Sequence, residues 1–399
     1  MKYLVLVCDG MADEPIESLG LRTPLEVAKT PRMDELARRG RVGRAAFTPE
    51  GMYPGSDVAN MAILGYDPRE YHTGRAPLEA ANMGIDLKPH EVAFRCNLVT
   101  VSDSHMIDFA GGHIGSREAK ILVDELNAEL GTPALRFHPG VSYRHILVAG
   151  DPDLAEALSA TECTPPHDLT GKKFTGSLPK GKGAKFLLDL MDRSKEILER
   201  QDINKVRIDL KENPANMIWL WGQGKAPSFP SFREKYGLSG SMISAVDLLN
   251  GLGKLMKLDV IKVPGATGYY DTNFAGKAEY GLAALDTRDF SFIHVEAADE
   301  AGHNGDLKQK IRAIENFDNH VVGTVMDRLE GRSDWRVLIC PDHPTPVELK
   351  THTPHPVLFL MSGAGIEAEG AAAFDEKTAA ESKTFYKDGH TLMADFLKP

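Results

Sequence analysis

The stretch Tyr3-Leu4-Val5-Leu6-Val7-Cys8-Asp9 is a short apolar run without alternation that stops on a carboxylate. Such a run reads as a strand buried on both faces, the signature of a parallel sheet. The pattern recurs downstream. The run at 292–295 is followed within four residues by Asp299; residues 337–340 are apolar and lead to Asp342. Residues 217–221 and 357–360 read as two further buried strands. Between these runs lie helical patterns at 32–39, 184–199, 244–254 and 307–329. The helix at 184–199 collects Phe186, Leu187, Leu190, Met191 and Leu198 on one face. Strand and helix signals that alternate in this way define an α/β chain.

The middle of the chain departs from that pattern. From residue 92 the sequence alternates (Phe94, Cys96, Leu98, Thr100) and breaks at Ser102-Asp103 and Gly111-Gly112 as hairpins do. We therefore expect a smaller α+β unit at residues 92–178, inserted into a discontinuous α/β domain of residues 1–91 and 179–399. Hydrophobic residues at 42% of the 399 supply a full core, and a net charge of −11 disfavours nucleic acid and anionic membranes as partners. The four cysteines form no C-x-x-C pair, which speaks against a disulfide scaffold and for a reducing cytoplasm. The first apolar run stops at Asp9, too soon for a secretory segment. No stretch approaches the roughly 20 apolar residues that a membrane span needs.

Ligands of open parallel sheets bind beyond the carboxyl ends of the strands. That edge would gather Asp9, Asp299 and Asp342, although each alone also reads as the cap of a helix or turn. Histidines accompany them: His303 lies four residues after Asp299, His343 is adjacent to Asp342, and His352 and His355 follow. These histidines read as turn residues rather than members of apolar helix faces. Neighbouring carboxylates need a cation to offset their repulsion, and mixed carboxylate and imidazole donors suit Mn²⁺ or Zn²⁺ above Mg²⁺. At least six candidate ligands favour two ions over one. Ser56, in Tyr53-Pro54-Gly55-Ser56-Asp57, enters a helix over residues 57–64, where N–H groups favour a phosphate or an alkoxide. An ordinary helix cap has the same appearance. Beside two metals, however, such a hydroxyl becomes a nucleophile.

Several segments together carry a resemblance. They are Val7-Cys8-Asp9-Gly10-Met11-Ala12-Asp13, Pro54-Gly55-Ser56-Asp57-Val58-Ala59-Asn60, His72-Thr73-Gly74-Arg75-Ala76-Pro77-Leu78-Glu79, Ala93-Phe94-Arg95-Cys96-Asn97, Gly140-Val141-Ser142-Tyr143-Arg144-His145, Asp299-Glu300-Ala301-Gly302-His303 and Asp342-His343-Pro344-Thr345-Pro346. In this order the chain resembles, essentially end to end, the archaeal-type branch of the 2,3-bisphosphoglycerate-independent phosphoglycerate mutases, within the alkaline phosphatase superfamily. The resemblance implies an alkaline-phosphatase-like mixed or parallel sheet sandwiched by helices, with the inserted unit as a substrate-binding lid. It implies an isomerase that interconverts 3-phosphoglycerate and 2-phosphoglycerate through a phosphoserine at Ser56. No bisphosphoglycerate is needed. Two divalent metal ions are implied, Mn²⁺ first, with Zn²⁺, Co²⁺ or Mg²⁺ as alternatives. One is held by Asp9, Ser56, Asp342 and His343, the other by Asp299, His303 and His352; His355 stays outside the set.

A small phosphorylated carboxylate needs forked cationic donors. Arg75, Arg95, His113, Arg117, Arg144 and His145 are the candidates, and Arg136 lies in the same region. Rival readings remain open at this stage. Bacterial members of the branch point to a homoserine kinase, and the core residues alone also fit a metal-dependent phosphohydrolase. A non-catalytic binding module is hard to reconcile with so complete a set. Gly176-Ser177-Leu178-Pro179-Lys180-Gly181-Lys182-Gly183 has a phosphate-loop spacing, but Gly183 stands where Ser or Thr is required and no strand precedes it. The oligomeric state is left open between a monomer and a homo-oligomer.

Overall fold

The structure is a computed structural model that describes residues 1–398. In chain order its strands are β1 (Lys2–Cys8), β2 (Arg41–Ala45), β3 (Val92–Ser102), β4 (His105–Asp108), β5 (Leu135–Val141), β6 (Arg144–Ala149), β7 (Met217–Lys225), β8 (Gly240–Ile243), β9 (Asp259–Val260), β10 (Phe290–Val295), β11 (Trp335–Cys340), β12 (Val357–Gly363) and β13 (Phe385–Tyr386). The helices that matter below are α1 (Ser56–Ile63), α2 (Arg75–Asn82), α3 (Ser116–Leu130), α4 (Ala184–Glu199), α5 (Phe274–Ala284), α6 (Ala297–Asn304) and α7 (Leu307–Asn316). The chain divides into two compact units, Met1–His72 with Phe229–Pro399, and Thr73–Ser228.

The first unit holds an eight-stranded sheet of order β13-β2-β12-β11-β1-β10-β8-β9. β1 lies at its centre, parallel to β10 on one side and β11 on the other, with Cys8 level with Val295 and Val7 level with Cys340. Leu4 to Val7 are wholly buried, as the unbroken apolar run requires. β12, read from the sequence only as a buried strand, runs antiparallel to β11. No helix carries the chain across the sheet between them, so β12 returns from the edge at which β11 ends. The helical pattern at 307–329 is not one continuous α-helix: a π turn at Phe317–Val322 interrupts it. That turn aims Asp318 at the start of the helix Pro31–Arg38, where its carboxylate accepts the N–H groups of Met33 at 2.7 Å and Arg32 at 3.2 Å.

The second unit is an antiparallel sheet of order β4-β3-β6-β5, with β7 along the other edge of β3. It is wider at both ends than residues 92–178. The run at 217–221, expected in the larger domain, is β7 and pairs with β3 from Met217 opposite Val99 to Lys225 opposite Val92. An apolar run reads alike in either sheet, and only its pairing partner decides. α4 joins this unit for the same reason: Leu187 and Leu190 share a core with Phe94, Leu122 of α3, and Trp219. At the other end, Ala76 and Ala80 of α2 pack on Ala93, Ile146 and Val148. Gly74 must be glycine, since a Cβ there would stand 2.1 Å from the Gln223 carbonyl oxygen. The Gly176–Gly183 segment begins inside a 3₁₀ turn (Thr175–Ser177) and leads directly into α4, with no strand before it. Among the described residues no helix is long and apolar enough to cross a membrane.

One buried ammonium ties the sheet edge of the first unit together. Lys310 of α7 is fully enclosed. It bonds Asp13 at 2.6 Å and donates to the carbonyls of Thr345 at 2.8 Å and Ala12 at 3.2 Å. Asp13 also accepts the N–H groups of Val347 at 3.1 Å and Glu14 at 2.8 Å. Nearby, Glu376 accepts the Thr23 hydroxyl at 2.7 Å, and burial pushes its carboxyl up to about 7.

Lys310→Met leaves the Asp13 charge buried and unpaired, so urea unfolding should show a loss of about 3–5 kcal/mol. Adding Asp13→Asn should return a large part of it. Glu376 sets a pH dependence with a definite sign. A carboxyl raised in the fold stabilises fully below its unfolded value near 4.5, and that contribution is lost as pH rises through about 7. Glu376→Gln stays neutral, so its urea midpoint should fall less between pH 5 and pH 8 than that of the native chain.

Candidate functional site

The parallel pairing of β10, β1 and β11 brings Asp9, Asp299 and Asp342 to one edge of the sheet. Asp9 follows β1 directly and is 2% exposed; Asp342 lies two residues beyond β11 and is 1% exposed. Gly10 (φ +62°) turns the chain away immediately, and a Cβ there would stand 2.7 Å from Asp299 Oδ1 and from Thr345 Oγ1. Asp299 and His303 do not lie in turns, as the sequence suggested. They lie on α6, where a spacing of four sets both on one face.

Ser56 is the first residue of α1. Gly55 precedes it, and no side chain caps the helix. Ser56 Oγ is 3.3 Å from His343 Nε2 and 3.5 Å from Asp9 Oδ2. Ligand-type atoms of Asp9, Asp342 and His343 all lie within 4.8 Å of one another, and so do those of Asp299, His343 and His352. His303 Nε2 completes the second group, 2.9 Å from His352 Nε2 and 3.3 Å from Asp299 Oδ2. All seven expected residues are thus gathered in the first unit. His355 instead pairs with Glu14 at 3.1 Å.

The donor set fits divalent cations. His303 Nδ1 lies 3.2 Å from the Lys350 carbonyl and His352 Nδ1 lies 3.2 Å from the Pro54 carbonyl, so each donates there and turns the Nε2 lone pair inward. Thr345 gives its hydroxyl proton to Asp299 and receives His343 Nδ1–H at 3.3 Å, which fixes the same tautomer on His343. Two lone pairs 2.9 Å apart beside a carboxylate repel unless a cation or a shared proton lies between them. The hydrogen bond to Asp299 lifts the His303 imidazole to about 9. Burial works against the Asp299 carboxylate, yet the surrounding histidines outweigh it and hold the group well below the usual range. Asp9 shows the opposite: burial, then the charges of Asp342 and Asp299, push it well above that range. Its Oδ1 is buried without a partner, an orphaned acceptor of the kind a metal ion satisfies.

Three supporting residues escaped the sequence reading. Asn60, fully buried one turn after Ser56, donates to the Ser56 carbonyl at 2.9 Å and to Asp342 Oδ2 at 2.8 Å. It closes the motif at residues 54–60, and its i, i+4 spacing from Ser56 was a further signal. Thr345 stood within a quoted motif without a role. His294, inside β10, was marked only by being polar in an apolar run.

In the second unit Arg95 lies 4.1 Å over the Trp221 ring and 3.1 Å from Glu79. Burial, and then the nearby Arg75 and Arg144 charges, pull its pKa down against the pull of Glu79, so these three arginines lie near one another. His113 and Arg117 are exposed at the entry to α3. His145 is inside the sheet on β6, where it accepts the Gly140 N–H at 3.0 Å and burial pushes it down to about 4.

A mixed α/β protein with clustered carboxylates and imidazoles able to hold metal ions at the carboxyl edge of its parallel strands is the class that fold and site define. The family model for 2,3-bisphosphoglycerate-independent phosphoglycerate mutase matches residues 37–204. A protein of that name from Methanosarcina acetivorans is 52% identical over 95% of each chain. A solved structure of a Pyrococcus horikoshii protein is 30% identical and covers 99% of this chain and 97% of its own, with a TM-score of 0.84. The cofactor-independent phosphoglycerate mutase of Thermoplasma acidophilum is 27% identical over 100% of this chain and 99% of its own, with a TM-score of 0.68. The chain belongs to the 2,3-bisphosphoglycerate-independent phosphoglycerate mutase family.

Asn60→Leu removes the donor that holds both Asp342 and the Ser56 carbonyl. Calorimetric titration with Mn²⁺ should show about 10–100-fold weaker binding, with an unchanged far-UV spectrum.

Proposed function

We propose that this chain interconverts 3-phosphoglycerate and 2-phosphoglycerate without bisphosphoglycerate, as a cytoplasmic enzyme of glycolysis and gluconeogenesis. The observation that carries the reading is Ser56 Oγ, which opens α1 within 3.3 Å of His343 Nε2 and 3.5 Å of Asp9 Oδ2, in a chain of this family. Asp9, Ser56, Asp342 and His343 would hold one divalent ion, and Asp299, His303 and His352 the other. Their mixed donors suit Mn²⁺ first, with Zn²⁺ or Co²⁺ next and Mg²⁺ less so. When bound, such ions lower the pKa of a hydroxyl and neutralise charge on phosphoryl oxygens.

Ser56 Oγ forms a bond to phosphorus while the bond from phosphorus to the glycerate oxygen breaks. Overall the serine proton passes to that oxygen, leaving phosphoserine and glycerate. The second half reverses the exchange onto the other hydroxyl. The first N–H groups of α1, free of any capping side chain, can donate to the phosphoryl oxygens as charge develops. Glycerate must stay bound and water must stay out between the two halves. We assign that task to the second unit, with Arg75, Arg95 and Arg144 for the carboxylate and phosphate of the substrate. Trp221 and Glu79 hold the Arg95 guanidinium in a fixed orientation. Exposed His113 and Arg117, and buried His145, are left outside that group. The four cysteines are all free, which agrees with a reducing compartment.

Ser56→Ala should abolish turnover in an enolase-coupled assay with Mn²⁺ and 3-phosphoglycerate, while metal binding is only partly weakened. Labelled phosphate should pass through the native enzyme and return to the same glycerate. Near-normal turnover by the variant, or phosphate released as fast as 2-phosphoglycerate forms, would defeat the reading.

A further inference from the structure

His294 is fully buried in β10, level with Val7 of β1. It belongs to no ligand group assigned above. Its Nδ1 lies 3.3 Å from Ser244 Oγ, just beyond the end of β8. Ser244 Oγ accepts the Val246 N–H at 3.0 Å, and its own proton can turn onto His294 Nδ1, the arrangement that keeps a ring lone pair away from the Asp9 carboxylate. The ring proton then sits on Nε2. That atom stands 3.2 Å from Asp9 Oδ2, off the ideal line of a hydrogen bond, and has no other partner. A buried N–H with one polar neighbour either donates to it or bears the full cost of desolvation. The backbone at this position is pinned as well: Lys277 of α5, also fully buried, donates to the His294 carbonyl at 3.0 Å.

The consequence falls on Asp9. Its Oδ2 faces the His294 ring and, at 3.5 Å, the Ser56 hydroxyl. Its Oδ1 is buried, unpartnered and 3.6 Å from His343 Nε2. A ring N–H that loads one carboxylate oxygen fixes the rotation of the group and presents the other to the ligand cluster. We infer that His294 is a positioning residue: a relay from Val246 N–H through Ser244 and His294 sets the rotamer of Asp9 and thereby the geometry around Ser56. The inference rests on the reading of Asp9 as a metal ligand and adds the outer partner that orients it.

Three variants and one spectrum test the relay. His294→Leu removes the donor, His294→Gln replaces Nε2–H with an amide N–H at similar reach, and Ser244→Ala frees the tautomer. In calorimetric titrations with Mn²⁺, His294→Leu should bind one of the ions about 10–100-fold more weakly. His294→Gln should recover to within about 3-fold of the native chain, and Ser244→Ala should fall between them. In the metal-free protein labelled with ¹⁵N-histidine, NMR should show His294 as the Nε2–H tautomer, and Ser244→Ala should mix the two tautomers. Native affinity in His294→Leu, equal losses in folded Leu and Gln variants, or an Nδ1–H tautomer in the native spectrum would overturn the relay. If His294→Leu does not fold, Ser244→Ala and the spectrum decide. Failure of the native chain to isomerise phosphoglycerate, with these binding differences intact, would overturn the proposed function and leave the relay standing.

Discussion

Because β1 runs parallel to both β10 and β11, the chain leaves all three strands at one edge, and each departure delivers an aspartate. Antiparallel pairing on either side would have sent one carboxylate to the opposite end. Three buried carboxylates at such an edge are unfavourable by themselves, and the rest of the first unit answers that cost. Histidine lone pairs turn inward on one side, and hydrogen-bond donors hold the carboxylates on the other. Beneath them Lys310 joins the segment after Asp9 to the segment after Asp342 through Asp13 and the Thr345 carbonyl. No single contact makes the site; the register makes it, and the supports keep it from relaxing.

The supports share a pattern. Most of the candidate ligands have one atom spoken for by the protein: a carbonyl behind His303 and His352, Thr345 behind His343 and Asp299, and the inferred His294 contact behind Asp9; Asp342 has both oxygens held, Oδ2 by Asn60 and Oδ1 by the Gly10 and His343 N–H groups. On the three histidines the Nε2 atom that remains faces the cluster. Rotamers fixed in this way need little reorganisation when charge develops on a phosphoryl group. Ser56 differs, since the start of a helix places it, with Asn60 holding its carbonyl.

What could be read from the sequence was local. β1, β10 and β11 announce themselves as apolar runs, and their aspartates and neighbouring histidines mark the edge. Motif order named the family. Long-range choices were hidden. The run at 217–221 is equally apolar whether it joins the parallel sheet or pairs with β3, so its assignment required the partner strand. The α6 location of His303 was present in the spacing of four but was masked by glycine and acidic residues that read as a turn. Asn60, Thr345 and His294 act through bonds to residues mostly far away in sequence, and such bonds leave little trace in composition or periodicity.

The first unit is also discontinuous, and this orders events in time. Tyr3 must find Phe290 and Trp335 lies opposite Lys2, whereas the second unit is one unbroken stretch, Thr73–Ser228. A nascent chain emerging from the ribosome can therefore complete the second unit while β1, with its unbroken run Leu4 to Val7, has no neighbour. β1 is held open until β10 at Phe290–Val295 has been made, and loops of that length close slowly. The strand that organises chemistry in the finished molecule is the one most exposed to chaperones, and to wrong partners, during synthesis.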